Sequence, residues 1–166
     1  MGLSESAALF RRLTLGVYVV GVARGAERDA FTAAWITQVS FDPLMLVLSV
    51  NPTNASYDLL QGGGFAVSVL KQGQLELARR FGTRSGRDED KLAGIAWRPG
   101  RTGAPILEDA LAYFDCEVAG RMPGGDHELV LGRVSDGRIL DREARPLTYA
   151  ETGNMDGSSA LYPARL

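Results

Sequence analysis

The sequence predicts a mainly β fold, an antiparallel barrel or Greek-key sheet with short helical insertions, built as one domain over residues 1–166. Three observations predict it. About six or seven short runs are apolar and rich in β-branched or aromatic residues. Turn residues recur between them. No long helical pattern separates one run from the next, as a doubly wound parallel sheet would require.

Taken in order, residues 4–13 read as a short helix, with Ser4 or Ser6 as cap and Leu9, Phe10 and Leu13 on one face. GVYVVGVA, residues 16–23, is a strand, and residues 24–30 are a polar turn. FTAAWITQVSF, residues 31–41, is a second strand. Asp42–Pro43 ends it, because proline cannot donate to a ladder and restricts the residue before it. LMLVLSV, residues 44–50, is a continuous apolar run and is expected to be covered on both faces. Thr53 or Asn54 then caps a short helix over ASYDLLQ, stopped by glycines. FAVSVL is a strand. GQLELARRFG is a helix with Leu75, Leu77 and Phe81 among its apolar positions, ended by Gly82, and TRSGRDEDK is a charged loop. Residues 107–122, 127–140 and 145–150 supply further strands, and residues 152–166 read as loosely ordered.

Composition excludes several function classes. Lys and Arg total 18 against 20 Asp and Glu, giving a net charge of −2 without basic clusters. A nucleic-acid partner is not expected, since neutralising phosphates needs clustered cations. The longest apolar runs fall far short of the ~20 residues of a membrane span. The first residues lack an apolar signal core, so the cytoplasm is the expected location. Cys116 is the single cysteine, which excludes an intrachain disulfide, and within LAYFDCEVAG it reads as a buried strand residue. One histidine and one cysteine make a metal site unexpected. No Rossmann fingerprint, phosphate loop or nucleophile elbow is present.

Three places could carry chemistry. Strict alternation over residues 31–41 puts Thr32, Ala34, Ile36, Gln38 and Ser40 on one side, a small and polar set. Small side chains let a flat ring approach the backbone, and hydroxyls and amides can bond its edge; a plain solvent-facing side would look similar. Asn51, Thr53, Asn54 and Ser56 surround a helix start, whose free N–H groups suit a phosphate or simply need capping. His127, the single histidine, follows Gly-Gly-Asp at the mouth of a strand. It could bond a ligand, or it could be a turn residue bonded to Asp126 or the backbone.

The ordered set GVYVVGVA, FTAAWITQVSFDPLMLVLSV, NASYDLL, GGFAVSVLKQGQLELARRFG, DK, PILEDALAYFDCEV and GGDHELVLGRV resembles the flavin reductase-like, FMN-binding split-barrel family over about residues 8–150. The TA before a strand ending S-x-DP, and the GDH-x-L-x-x-G-x-V run, carry most of the resemblance. It implies an antiparallel Greek-key split barrel, a homodimer with FMN at or near the interface, and NAD(P)H:flavin oxidoreductase activity. FAD is the alternative flavin, NAD(P)H the co-substrate, and a flavin-dependent monooxygenase the implied partner. The resemblance places the isoalloxazine ring against Ala34, Trp35, Ile36 and Thr37, with Gln38 and Ser40 beside them. It places the ribityl phosphate against Asn51, Asn54, Ala55 and Ser56, and His127 near the nicotinamide.

The chain departs from that pattern in two places. Leu44 stands where a second proline often follows, and ETGNMDGSS replaces an aromatic-rich end, so residues 152–166 form a divergent tail. AWITQVSF also resembles the flavin module fused to diiron flavoproteins of phototrophs. An FMN-binding electron-transfer module without a nicotinamide site is therefore the alternative to a reductase. A split barrel using His127 as a haem ligand is a third reading, disfavoured by the Gly-Gly-Asp turn.

Overall fold

The computed structural model describes residues 2–166. Strands β1 (Tyr18–Arg24), β2 (Glu27–Ala33), β3 (Ile36–Phe41), β4 (Leu44–Val50), β5 (Gly64–Val69), β8 (Ala112–Gly124) and β9 (His127–Ile139) form one antiparallel sheet in the order β2-β1-β5-β8-β9-β4-β3. β6 (Trp97–Pro99) and β7 (Pro105–Leu107) form a separate hairpin. Helices α1 (Glu5–Phe10) and α2 (Leu75–Thr83) are the α-helical insertions. The mainly β, antiparallel expectation stands.

The edges of the sheet decide its shape. β2 and β3 lie at opposite ends of the strand order, yet only Ala34 and Trp35 join them. Three residue steps span at most ~10 Å, so the sheet curls until its two edges nearly meet, leaving an open seam at Ala34–Trp35. The single strand expected over residues 31–41 is thus two strands on different ladders. Tyr18 pairs with Ala33 in one, and Ile36 pairs with Leu48 in the other. Local β propensity runs through both halves and carries no record of which partner each takes.

The long β8–β9 hairpin has bulges between Asp115 and Cys116 and between Val118 and Gly120, which bend the strands around the barrel. Its tip turns through Gly125, at φ +73°, and Asp126, a two-residue loop with glycine where φ is positive.

Alternation along the strands splits the core in two. Val20, Val22, Phe31, Leu48, Phe65, Val67, Cys116 and Val130 fill the interior. Val17, Val19, Leu70, Ala78, Phe81 and Leu107 pack outside, beneath α2 and β7. Trp97 packs against this outer cluster. Gly21 is required where β7 crosses β1, because a Cβ there would stand 2.0 Å from the Pro105 carbonyl oxygen.

Other expectations need correction. The polar turn over residues 24–30 shrinks to Gly25–Ala26, since residues from Glu27 onward pair with β1; charged Glu27 and Arg28 suit an edge strand. β4 is not covered on both faces: Leu46, Leu48 and Val50 are buried, whereas Met45, Val47 and Ser49 are half-covered. Residues 145–150 form isolated bridges, Gly16 to Thr148 and Lys71 to Pro146, instead of a strand, and Pro146 has no N–H to extend a ladder. α2 runs one residue past Gly82, to Thr83.

Candidate functional site

The seam opens into a cavity of about 240 Å³. Ala33, Ala34 and Trp35 line it from the strand crossing, Asn51 and Asn54 from the end of β4, and His127 from the start of β9. Tyr149, Met155, Asp156 and Leu161 close it from the C-terminal segment. A second hollow of about 230 Å³ shares Phe31, Thr32, Asn54 and Gly82 with it and adds Ala55, Thr83, Arg84, Ser85 and Lys91.

Ala34, Trp35, Asn51, Asn54 and His127 therefore meet at one cavity, and Ala55 lies in the adjoining hollow. The remaining ring-contact candidates do not join them. Ile36, Thr37 and Gln38 line a different hollow with Tyr18, Phe114 and Val134. Ser40 lies past an irregularity in the β3–β4 register, with its carbonyl accepting from Gln38 Nε2 at 3.3 Å. The cause is the crossing at Ala34–Trp35, beyond which β3 follows β4 away from the seam.

His127 fits the turn description, bonded to Asp126, and it also lines the cavity. Its Nδ1 lies 2.7 Å from Asp126 Oδ1, and its ring packs on Trp35 at 4.8 Å between centroids and a 47° tilt. The hydrogen bond to His127, foremost, holds the Asp126 carboxyl below its ordinary range. The hairpin tip is tied down next door. Arg121 donates to Glu128 Oε1 at 2.6 Å and to the Leu60 carbonyl at 2.8 Å, and the Tyr57 hydroxyl donates to Glu128 Oε2 at 3.1 Å. These bonds brace β9 against the segment that follows Asn54.

Residues 51–56 do not start an α-helix. A 3-10 helix, Tyr57–Gly62, follows, and Ser56 at its cap makes no side-chain capping bond. Asn51 Oδ1 accepts from the Thr53 N–H at 3.0 Å and hydroxyl at 2.9 Å, and Asn54 Oδ1 accepts from the Ser56 N–H at 2.9 Å. Such Asx turns compete with helical bonding. They leave the two amide Nδ2 groups, and the Ala55 N–H, without partners among the described residues.

Ser56 differs from its neighbours: it is fully buried and its hydroxyl donates to Asp29. Lys91 Nζ stands 3.5 Å from the other Asp29 oxygen. Burial lowers the Lys91 pKa against the opposing pull of Asp29. Ser56 thus belongs to a buried polar support beneath the second hollow.

Sequence reasoning missed Thr83, Ser85, Tyr149 and Asp156 as site residues. The C-terminal segment, expected to be loose, forms two 3-10 turns, Tyr149–Thr152 and Ser158–Leu161. A signal was present. Thr148-x-x-Glu151 is a capping box: Glu151 accepts from the Thr148 N–H at 2.7 Å and hydroxyl at 2.8 Å.

The chain matches the family model described as Flavin reductase like domain over residues 10–158. It is 36% identical over 149 residues to NADH-dependent FMN reductase AsuE2 of Streptomyces nodosus subsp. asukaensis, covering 84% of this chain and 79% of that protein. Diflavin flavoprotein A 1 of Synechocystis sp. is 35% identical over 134 residues, which is 80% of this chain and 23% of that protein. The chain spans about a quarter of the length of the diflavin flavoproteins it matches. Among solved structures it is similar to NADH:FAD oxidoreductase SgcE6 of Streptomyces globisporus, with a TM-score of 0.80 and 30% identity over 87% of this chain and 86% of that one.

Proposed function

The chain belongs to the flavin reductase-like family, and from that premise we propose that it binds a flavin at the sheet seam and reduces it with NAD(P)H. One observation carries this reading: Ala34–Trp35, Asn51, Asn54 and His127, distant in sequence, converge on one cavity that continues into a hollow bearing Arg84 and Lys91.

The residues fit such a ligand. Ala33 and Ala34 let a planar ring approach the backbone. The free Ala55 N–H, the Asn54 amide, Thr83, Ser85 and Arg84 suit a phosphate in the second hollow. The small cavity side chains and the phosphate-sized hollow support FMN as the flavin, with FAD the alternative. The flavin, when bound, supplies the hydride-accepting chemistry; the protein supplies position and electrostatics. Trp35 and His127 bound the remaining space at the seam and would orient the nicotinamide there, and Asp126 fixes the imidazole that does so. The relatives named as FMN reductase and NADH:FAD oxidoreductase support the activity.

Two partners complete the reading. A homodimer would cover the β3 edge, where Val39 is 49% and Phe41 86% exposed, together with Leu44 of β4, 54% exposed, beside the half-covered face of that strand. Reduced flavin would pass to a partner monooxygenase, the role implied by the family resemblance, in the cytoplasm.

A second reading, an FMN-binding electron-transfer module without direct NAD(P)H oxidation, is favoured by the match to part of the diflavin flavoproteins. The visible spectrum of the purified protein with one equivalent of FMN, before and after anaerobic NADH or NADPH, separates the two. A perturbed spectrum that bleaches supports the reductase. A perturbed spectrum that persists supports the module. An unperturbed spectrum removes both.

A further inference from the structure

The seam cavity has a neighbour on the side of α1. A hollow of about 350 Å³ shares Trp35, Ser49 and Tyr149 with it, and Phe10, Leu13 and Tyr162 extend the lining. Four aromatic side chains thus border one concavity. The Phe10 and Tyr162 rings stand 5.7 Å apart at a 36° tilt. Such a lining suits a flat heteroaromatic ring, which gains from stacking and from covering its faces.

One cation stands at this hollow. Arg11 is its sole charged lining residue among the described residues. The guanidinium donates to the Gly153 carbonyl at 3.0 Å and forms no ion pair among the described residues. Other cations around the seam are paired: Arg84 with Glu89 at 3.4 Å, Lys91 with Asp29 at 3.5 Å and Arg121 with Glu128 at 2.6 Å. Asp156, in the seam cavity, is engaged by the Tyr149 hydroxyl and the Ser158 N–H instead of by Arg11. The remaining N–H groups of Arg11 suit a phosphate oxygen.

A dinucleotide with its nicotinamide by Trp35 and His127 has three hollows beside it. The one bearing Thr83 and Arg84 takes the flavin phosphate in the reading above. The one beyond His127 carries Asp126 and Glu128, and its Arg121 is committed to Glu128 and the Leu60 carbonyl. Of the three, the aromatic hollow alone combines stacked rings, an unpaired cation and a lining without carboxylates.

We propose that this hollow is the subsite for the adenosine diphosphate half of the nicotinamide donor, with the adenine among the aromatic side chains and a phosphate oxygen on Arg11. The proposal rests on the nicotinamide reading above. It gives Arg11 a binding role at the end of α1, far in sequence from the other cavity residues.

The test compares two hydride donors on the flavin-loaded protein: NADH, and 1-methyl-1,4-dihydronicotinamide, which has the ring without phosphate or adenine. In Arg11→Gln, which keeps an N–H donor and removes the charge, the ratio of kcat/KM for NADH to that for the methyl compound should fall roughly tenfold. The fall should come through KM for NADH. ADP should inhibit wild type competitively against NADH and inhibit Arg11→Gln more weakly. Phe10→Ala, at a half-exposed position, should weaken ADP as well. A merely structural role would lower both donors together and leave the ratio unchanged. An unchanged ratio, or equal inhibition by ADP in wild type and Arg11→Gln, overturns the proposal. So does a change in molecular mass in Arg11→Gln at an unchanged ratio, which would make the hollow a contact with a second copy of the chain. If neither donor reduces the bound flavin while dithionite does, the nicotinamide reading itself fails and this proposal falls with it.

Discussion

Trp35 and His127 pack against each other across the sheet seam, 4.8 Å between ring centroids, although they lie 92 positions apart in a chain of 166 residues. One comes from the crossing between two edge strands and the other from the tip of the longest hairpin. On the proposed reading, the contact borders the space in which a nicotinamide would lie. Replacing His127 with Ala should slow flavin reduction by NAD(P)H roughly tenfold, the scale of one lost positioning contact of ~1.4 kcal/mol. Flavin affinity should stay the same. Stopped-flow reduction together with FMN titration measures both, and an equal rate in mutant and wild type would leave His127 a turn residue.

Asn54 and Ser56 share one turn, two residues apart, but their side chains point to different partners. Asn54→Ala should weaken FMN binding. Ser56→Ala should act on stability instead, because it removes a hydrogen bond to buried Asp29 and costs ~1–3 kcal/mol. Paired thermal melts and flavin titrations distinguish them. A loss of affinity without a loss of stability in Ser56→Ala would put its hydroxyl on the ligand.

Cys116 makes stability fall at alkaline pH. Burial, with a smaller contribution from Asp115, pushes its thiol up to about 12 from 9.0. In the unfolded chain it ionises near its ordinary value, so above that pH the native state holds the extra proton. Its contribution is complete below pH 9 and declines as pH rises toward 12, by up to ~1.4 kcal/mol per unit. Denaturant melts of wild type and Cys116→Ala across pH 8–10.5 should show a shallower alkaline decline in the variant; parallel slopes would count against it.

The exposed apolar edge of β3 makes oligomeric state a direct test. Phe41→Glu should shift the protein toward monomer in light scattering after gel filtration, and a monomeric wild type would dispose of the dimer.

Tyr149→Phe removes the hydroxyl that bonds Asp156 and Ser158 at 2.8 Å each. The loss should cost ~1–2 kcal/mol at most and loosen the C-terminal wall. Trp35 should then be quenched more readily by acrylamide in a Trp97→Phe background; identical quenching would mean the wall is held by other contacts.

Much of the fold was legible because period-two apolar runs and turn residues report strand existence directly. β1, β4, β5 and the β8–β9 hairpin follow that pattern. The break at Ala34–Trp35 was not legible, since both halves are good strand sequence and only their pairing separates them. β6 and β7 escaped notice because three-residue strands containing proline have no local periodicity. Within the candidate site, Asn51 and Asn54 were legible as polar donors at an expected helix start, and Ala55 through the family resemblance alone. Tyr149 and Asp156 were not legible, because nothing in TYAETGNMD indicates what that segment packs on.

By itself, then, the sequence determined the mainly β class, the buried state of Cys116 and the family resemblance, since each depends on local pattern or on the order of short motifs. Only the tertiary structure decided that Ser56 is turned inward to Asp29, that Ile36–Ser40 leave the seam, and that the C-terminal segment walls the cavity. Those outcomes depend on which groups meet across long stretches of chain. Ser56 donates to a residue 27 positions away, and Trp35 stacks on the first residue of β9. Such meetings are set by strand pairing and sheet curvature, not by the propensities of the residues that take part.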